Sequence, residues 1–291
     1  MKRSSPQQSN RLLSVVKLSL SVGAKHLAPY GSTKSRHDFT QRQLMTCLIL
    51  RTYLKTTYRG VIEQLGVSSE LREAIGLQKL PNYSTLKKFA DRPGVREVLE
   101  AMLQTLARMV DRADKSLSKE AAMDSTGLET SSASAHFRAR SGKKRKRYVK
   151  LSVVVLCGSL VPASLVVDWG PTNDKVEARP LLERAAQVIR PDSLFADAGY
   201  DAEWIHAYCH EQWGVASVIK PVRHTSGPPE GTYRSLMGSA RLKKSGYGRR
   251  WQVESYMSGL KRTMGSTLNA RTERGLMIDA TLKVLAYAFR R

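Results

Sequence analysis

A change of residue pattern near position 120 constrains the fold of this chain more than any other feature. Between residues 38 and 114, apolar residues recur at three- to five-residue steps, the spacing of amphipathic helices. Beyond that point, short apolar runs rich in β-branched residues alternate with longer amphipathic stretches, which predicts strands interspersed with helices. The pattern therefore predicts an all-helical N-terminal module followed by an α/β domain with a mixed sheet.

Composition shifts divide the chain into three segments. Residues 1–37, rich in Ser, Gln, Lys and Arg, are expected to form a basic flexible arm. Residues 38–118 form the helical module, in which Lys87 and Lys88 lie on a short basic helix, and residues 119–291 form the α/β domain, with a basic insertion near 221–245. Small basic helices are typical of DNA-contacting helix-turn-helix modules and also of helical dimerisation or packing units. Both interpretations stay open.

The charge balance indicates a polyanionic partner. The chain has 48 Lys and Arg residues against 25 Asp and Glu residues, a net charge of +23. A field of this sign favours nucleic acid, since each neutralised phosphate releases condensed counterions. The three cysteines are scattered and form no CxxC pair, which argues against a zinc site or a disulfide framework.

The apolar stretch from Leu151 to Trp169 approaches the length of a membrane span. Gly158 and Pro162 interrupt it, and its valine runs favour strands. We therefore expect two buried strands joined by a tight turn, no membrane association, and a cytoplasmic protein.

Two aspartates follow short apolar runs in the α/β part. Asp124 follows Ala121-Ala122-Met123, and Asp197 follows Leu194-Phe195-Ala196. Ligands of α/β sheets gather where strands end, and carboxylate oxygens suit a hard cation such as Mg²⁺. Taken singly, either aspartate is more often a turn or capping residue than a ligand, and the pair needs a third member.

A polar helix face supplies that third member. On a helix, Tyr247, Arg250, Glu254 and Lys261 project within an arc of about 60°. Such a stripe suits an acidic ligand, with the glutamate binding metal and the cations meeting phosphate. A solvent-facing stripe of ion pairs is the competing interpretation.

The spacing of these four residues resembles the Y-R-E-K signature of bacterial insertion-sequence DDE transposases, in the branch containing insertion sequences four and five. Residues 196–201 resemble the second-aspartate motif of that family, and residues 123–126 resemble its first. The resemblance implies a ribonuclease-H-like catalytic domain. It also implies that two Mg²⁺ ions, for which Mn²⁺ is a substitute, are held by the three carboxylates Asp124, Asp197 and Glu254.

The same resemblance implies the reaction and the partners. Water cleaves double-stranded DNA at the terminal inverted repeats of the element, and the freed 3′-hydroxyl attacks target DNA. The protein is expected to act as a homodimer on DNA, associated with a bacterial nucleoid. Arg250 and Lys261 are expected to neutralise phosphate, with Tyr247 stacking or hydrogen bonding beside them, whereas Asp174 and Asp201 are expected to cap helices.

A second basic group lies between the first aspartate and the predicted hairpin. A charge run is usually a solvated loop, but this one is tethered closely to the site, and we expect it to clamp the DNA backbone without base specificity. Its residues are Lys143, Lys144, Arg145, Lys146, Arg147 and Lys150. A nuclease that cuts without joining, and an inactive DNA-binding regulator derived from a transposase, are the alternatives.

Overall fold

A computed structural model describes residues 10–34, 36–130, 147–222 and 230–291 of the chain. Its first part is helical, as the spacing of apolar residues predicts. In chain order the helices are α1 (Arg11–Gly23), α2 (Gln41–Tyr53), α3 (Tyr58–Val67), α4 (Ser69–Ile75), α5 (Tyr83–Ala90) and α6 (Val95–Ala113). A 3-10 turn, Lys115–Ser118, leads from α6 into the sheet.

Capping residues explain several of these helix ends. The Thr40 hydroxyl accepts a hydrogen bond from the Gln43 N–H, and the Gln43 side chain accepts one from the Thr40 N–H at 2.8 Å. This reciprocal capping box satisfies two N–H groups that the first turn of α2 leaves without helical partners. Asn82 caps α5 through the N–H of Ser84 at 2.9 Å. Helix α4 ends at Gly76, whose φ of 75° lies in the left-handed region that favours glycine.

Helix α1 corrects the expected N-terminal arm. Residues 10–34 belong to the described part of the chain, and Arg11–Gly23 within it is helical. Val15, Val16 and Val22 recur at helical spacing and are buried against the other helices. The prediction of a loosely ordered arm is therefore wrong for this stretch, because its apolar residues form one face and find a partner surface.

The sheet contains β1 (Glu120–Thr130), β2 (Tyr148–Leu156), β3 (Pro162–Gly170), β4 (Ser193–Ala196), β5 (Ala216–Ile219) and β6 (Thr267–Leu268). The order is β3-β2-β1-β4-β5, with β6 paired to the far end of β1. Strand β2 runs antiparallel to β1 and β3, whereas β4 and β5 run parallel to β1. The predicted mixed α/β sheet, preceded by helices, is confirmed.

Five further helices complete the described fold: α7 (Asp174–Ala186), α8 (Glu203–Ala207), α9 (Ser239–Lys244), α10 (Trp251–Met264) and α11 (Glu273–Arg290). Helix α8 continues as a π-helical stretch, Tyr208–Trp213. Short 3-10 turns occur at Ala198–Tyr200 and Arg234–Leu236. Another, Tyr247–Arg250, precedes α10, where a single helix starting at Tyr247 was predicted.

The closing helix α11 joins the two predicted parts of the fold. It packs against α2 and α6 of the helical part and also against β2 and β3 of the sheet. The buried side chains accordingly form one continuous hydrophobic cluster from Val15 to Phe289. Among the described residues, no helix is both long enough and apolar enough to cross a membrane.

Candidate active site

Asp124 and Asp197 are brought side by side by the register of two parallel strands. Met123 on β1 pairs with Ala196, the last residue of β4, and the next residue of each chain segment is the aspartate. Paired positions on neighbouring strands lie about 5 Å apart and project side chains to the same face. Asp197 does follow a strand end as expected, but Asp124 lies inside an 11-residue strand, which corrects the prediction of a short strand ending there.

One oxygen of each aspartate is fixed by a neighbouring backbone N–H. Oδ1 of Asp124 accepts a hydrogen bond from the N–H of Ser125 at 2.7 Å, and Oδ1 of Asp197 accepts one from the N–H of Gly199 at 2.9 Å. The side-chain rotation of both carboxylates is thereby restricted. In each carboxylate, Oδ2 retains the capacity to meet a cation.

Glu254 reaches the same region from helix α10. The 3-10 turn before α10 has three residues per turn, which keeps Tyr247 and Arg250 on one side, with the Arg250 guanidinium 6.0 Å from the Tyr247 ring centre. Arg250 donates a hydrogen bond to Glu254, and its Nη1 lies 3.8 Å from Oδ2 of Asp124. Arg250 therefore bridges the first aspartate and the glutamate. We call Asp124, Asp197 and Glu254 the carboxylate site.

The carboxylate site carries more negative charge than its surroundings neutralise. Burial, together with the charges of Asp197 and Glu254, raises the pKa of Asp124 to about 6, despite opposing effects of the Ser125 hydrogen bond and Arg250. A divalent cation would relieve this repulsion, and three carboxylates form the hard-oxygen donor set that Mg²⁺ or Mn²⁺ prefers. The donor set fits such a metal.

The geometry of the site is not that of an assembled metal cage. Among the described residues, no three Asp, Glu, His or Cys side chains converge closely enough to hold an ion as they stand. Glu254 is 52% exposed and turned toward Arg250. Metal binding by all three carboxylates therefore requires Glu254 to exchange its ion pair with Arg250 for the metal.

Comparison with known families identifies the chain. The family model described as transposase DDE domain matches residues 115–289, more than half of the chain. The chain belongs to the DDE transposase family. A solved structure that also matches is a piggyBac transposase synaptic complex with hairpin DNA, with a TM-score of 0.47, 8% sequence identity, and coverage of 97% of this chain and 72% of that one. No curated protein sequence matches the chain.

Next to the carboxylate site of this DDE transposase chain lies a second charged group, which we call the lysine cluster: Lys150, Asp174 and Glu177. Nζ of Lys150 on β2 lies 2.8 Å from Asp174 and 2.7 Å from Glu177, both on α7, and Lys150 is 3% exposed. Burial alone would lower the pKa of Lys150, but its hydrogen bonds to the two carboxylates outweigh burial and raise it. The expectation that Lys150 contacts DNA is wrong, because the side chain is enclosed and paired.

Two contacts connect the lysine cluster with the carboxylate site. The hydroxyl of Ser125, the residue after Asp124, donates to Oδ1 of Asp174 at 2.6 Å. A Cβ atom at position 199 would lie 3.0 Å from both Oδ2 of Asp174 and Oδ1 of Asp197, a spacing that suits glycine. Asp174 is the first residue of α7, which Asn173 caps, and its charge pairs with Lys150. The expected capping role of Asp174 is therefore wrong.

The remaining predicted DNA contacts lie at different places. Residues 143–146 fall outside the described residues. Arg147 is exposed, pairs with Glu273 at 3.0 Å and lies 3.8 Å from the Trp169 ring centre. On α5, Lys88 is exposed and Lys87 pairs with Asp91 at 2.5 Å. Lys261 is partly exposed on α10, about two turns beyond Glu254.

Asp201 takes a role that the sequence did not reveal. Helix α8 begins after Ala202 without a side-chain cap, which makes the expected capping role wrong. The Asp201 carboxylate instead accepts two hydrogen bonds from Arg234, both at 2.7 Å, and one from the Val222 N–H at 2.9 Å. It thus ties the start of the predicted insertion to a residue near its middle. A partner 33 positions away leaves no local spacing signal in the sequence.

Proposed function

We propose that this member of the DDE transposase family cuts and joins DNA by metal-dependent phosphoryl transfer at the carboxylate site. The observation that carries the proposal is the parallel pairing of β1 with β4, which sets Asp124 beside Asp197, with Glu254 reaching the same region through Arg250. The raised pKa of Asp124 supports it. Uncompensated carboxylates at this position are arranged for an added cation. The two carboxylates of the lysine cluster nearby, in contrast, each form an ion pair with Lys150.

We assign two divalent ions to Asp124, Asp197 and Glu254, with Mg²⁺ as the physiological ion and Mn²⁺ as a substitute. When bound, such ions activate the attacking oxygen and stabilise the leaving oxygen of an in-line displacement. Water is the first attacking group, and the freed 3′-hydroxyl is the second. Both reactions are displacements at a phosphodiester, which one site is able to serve.

We assign to three further side chains of α10 and the turn before it the binding and orientation of the DNA phosphates. If Glu254 bound the metal, its ion pair with Arg250 would open, and the Arg250 guanidinium would be free to contact a non-bridging phosphate oxygen, for which its planar fork is suited. Tyr247 lies beside it and limits the positions that the guanidinium occupies. Lys261 neutralises a phosphate further along the same helix face. These four residues carry the proposed assignment to the branch with insertion sequences four and five.

The proposed partners are the inverted repeats at the element ends and a target duplex. We propose that residues 38–118 contribute to DNA binding or dimerisation, that Lys87, Lys88, Arg147 and residues 143–146 contact the DNA backbone, and that a homodimer acts at the bacterial nucleoid. A net charge of +23 supports a polyanionic partner.

The test is cleavage of a plasmid carrying the element ends, with Mg²⁺, Mn²⁺ or chelator, for wild type, Asp197→Asn and Glu254→Gln. Both variants should lose at least about 100-fold in rate, since even outer-shell partners of a metal are worth 10- to 100-fold. Asp192→Asn, which neutralises an exposed aspartate four residues before the end of β4, is the matched control and should cut normally.

Supplying pre-cleaved ends separates transposition from nuclease action. Joined products that require Asp197 support strand transfer, whereas cutting without joining would identify a nuclease. Absence of cutting and joining in wild type, with intact end binding, would identify a DNA-binding regulator. Normal rates in Asp197→Asn and Glu254→Gln would refute the metal assignment.

A further inference from the structure

A cavity of about 710 Å³ lies between the helical part of the fold and the C-terminal part of the catalytic domain. Its walls are the end of α2 with the turn that follows, part of α5, the turn from Met264 to Thr272, and one side of α11. None of the carboxylate-site residues lines it.

Positive charge dominates the lining of this cavity. Two carboxylates belong to it, and both are already paired: Asp279 with Arg51 at 2.5 Å and Asp91 with Lys87 at 2.5 Å. Five cationic side chains line the same space: Arg51, Lys55, Lys87, Arg271 and Lys283. Three positive charges therefore remain in excess, and Lys55 and Arg271 are exposed to solvent.

The hydrogen bonds and the pKa of Lys283 show how burial and charge act inside the cavity. Its Nζ donates to the carbonyl oxygens of Met264 at 2.5 Å and Gly265 at 2.8 Å. Burial lowers the pKa of Lys283, and the charges of Arg51 and Lys55 lower it further against the opposing effect of Asp279. Arg51 and Lys55 therefore add positive charge around this buried amine, and that charge would attract an added anion.

Lys55 and two helix ends complete the donor set. Lys55 has a φ of 52°, a left-handed backbone that non-glycine residues adopt at an energetic cost and that is enriched at functional sites. Helices α3 and α11 both begin at the cavity, after Thr57 and Thr272, and their first turns present N–H groups and positive dipole ends. Hydroxyl groups of further threonines in the walls add donors.

The position of the cavity relates it to the carboxylate site. Met264 ends α10, ten residues after Glu254, a separation of about 15 Å along the helix axis. Lys261 lies between them on the same helix. Phosphates of one DNA strand follow each other at about 3.4 Å along the duplex axis, so that a separation of about 15 Å corresponds to about four base pairs.

We propose that this cavity binds backbone phosphates of the DNA that flanks the reacting phosphodiester, with Lys55 and Arg271 as its outer contacts. The proposal rests on the proposed function, since the DNA is that of the transposition reaction. It gives the helical part of the fold and the catalytic domain a shared ligand.

The test compares wild type with the double variant Lys55→Ala, Arg271→Ala, using fluorescence anisotropy of a labelled duplex that carries an element end. Loss of two phosphate contacts should weaken binding and reduce the slope of log affinity against log salt by about 2. The matched control is Lys17→Ala, Arg112→Ala, which removes two exposed cations from α1 and α6 and should keep the wild-type slope. Circular dichroism verifies folding of each variant.

Several outcomes separate this proposal from the proposed function. A wild-type salt slope in the folded double variant would overturn the phosphate site, while plasmid cleavage by wild type would still support the transposase assignment. Asp197→Asn should bind the duplex with the wild-type slope and fail to cut it. A thermal shift with inorganic phosphate that the double variant loses, together with an unchanged DNA slope, would assign the cavity to a free anion and refute the DNA contact.

Discussion

The carboxylate site and the lysine cluster are two groups of acidic side chains in adjacent positions, and they differ in how their charge is balanced. In the lysine cluster, a cation from β2 lies within 2.8 Å of both carboxylates. In the carboxylate site, the strand aspartates have only a guanidinium at 3.8 Å from Asp124, and the pKa of Asp124 is raised. One group contains its own cation, whereas the other is the proposed site for a cation from solution.

This difference teaches how to separate structural from functional carboxylates in a fold of this kind. The presence of acidic residues does not separate the two groups, because both contain them. Burial does not identify the functional group either, because burial is greater in the lysine cluster. The informative quantity is the balance between desolvation and local counter-charge. Substitutions that remove charge should therefore have opposite effects on stability in the two groups.

The largest stability effect is expected from Lys150→Met. Removing the lysine leaves Glu177, 4% exposed, as an unpaired buried charge, and the free energy of unfolding should fall by about 3–5 kcal/mol. Urea denaturation at pH 7 measures it. The double variant Lys150→Met, Glu177→Gln should recover part of the loss, and equal stability of single and double variants would contradict the charge argument.

Divalent ions should stabilise the carboxylate site and leave the lysine cluster unaffected. At an Mg²⁺ concentration 100 times its dissociation constant, stabilisation should be about 2.7 kcal/mol, seen as a rise in Tm. Asp124→Asn should lose most of that rise. An equal rise in both proteins would place the ion elsewhere.

In metal-free buffer at pH 8, Asp124→Asn should raise the free energy of unfolding by about 1–3 kcal/mol, because it removes a charge that the fold disfavours. The folded-state pKa of about 6 lies above the ordinary aspartate value. The advantage of the variant should therefore be full above pH 6 and lost as the pH falls below about 4. Thermal denaturation across this range measures it, with Asp192→Asn as the control. A destabilised Asp124→Asn protein would show that this aspartate is structural.

The smallest effect is expected from Gly199→Ala, at the boundary between the two groups. The added methyl group would press on Asp174 and Asp197 at 3.0 Å, forcing a carboxylate to shift by a few tenths of an ångström. We expect a loss of stability below about 1 kcal/mol and a several-fold weaker Mg²⁺ affinity, measured by calorimetry. An unchanged affinity would show that Asp197 tolerates the shift.

Local patterns predicted the parts of this fold that depend on local interactions. The apolar run before Asp197 forms the strand Ser193–Ala196, and the helical spacing of apolar residues after residue 38 corresponds to helices. The pattern also indicated that the two short apolar runs before Asp124 and Asp197 are strands of one mixed sheet, and their parallel pairing in the structure sets the two aspartates side by side. These features need only neighbours along the chain or regular sheet geometry.

Long-range packing decided the parts that were missed. Residues Ser125 to Thr130 contain few strand formers, yet β1 continues through them because β2 and β6 pair with it on either side. Lys150 belongs to a basic run in the sequence, but its side chain points from β2 toward α7 and pairs there with Asp174 and Glu177. Neither the full length of β1 nor the pairing of Lys150 can be predicted from the ten residues around it.

The contacts of Asp201 have a practical consequence for engineering. Val222 and Arg234 bind the same carboxylate, and the ends of the segment between them are therefore held close together whatever that segment contains. The entropic cost of closing a loop rises by only about 0.6 kcal/mol for each doubling of its length. We therefore expect a reporter domain inserted between these two residues to be tolerated. The insertion should leave the positions of Val222, Arg234 and the elements that lead into α10 unchanged.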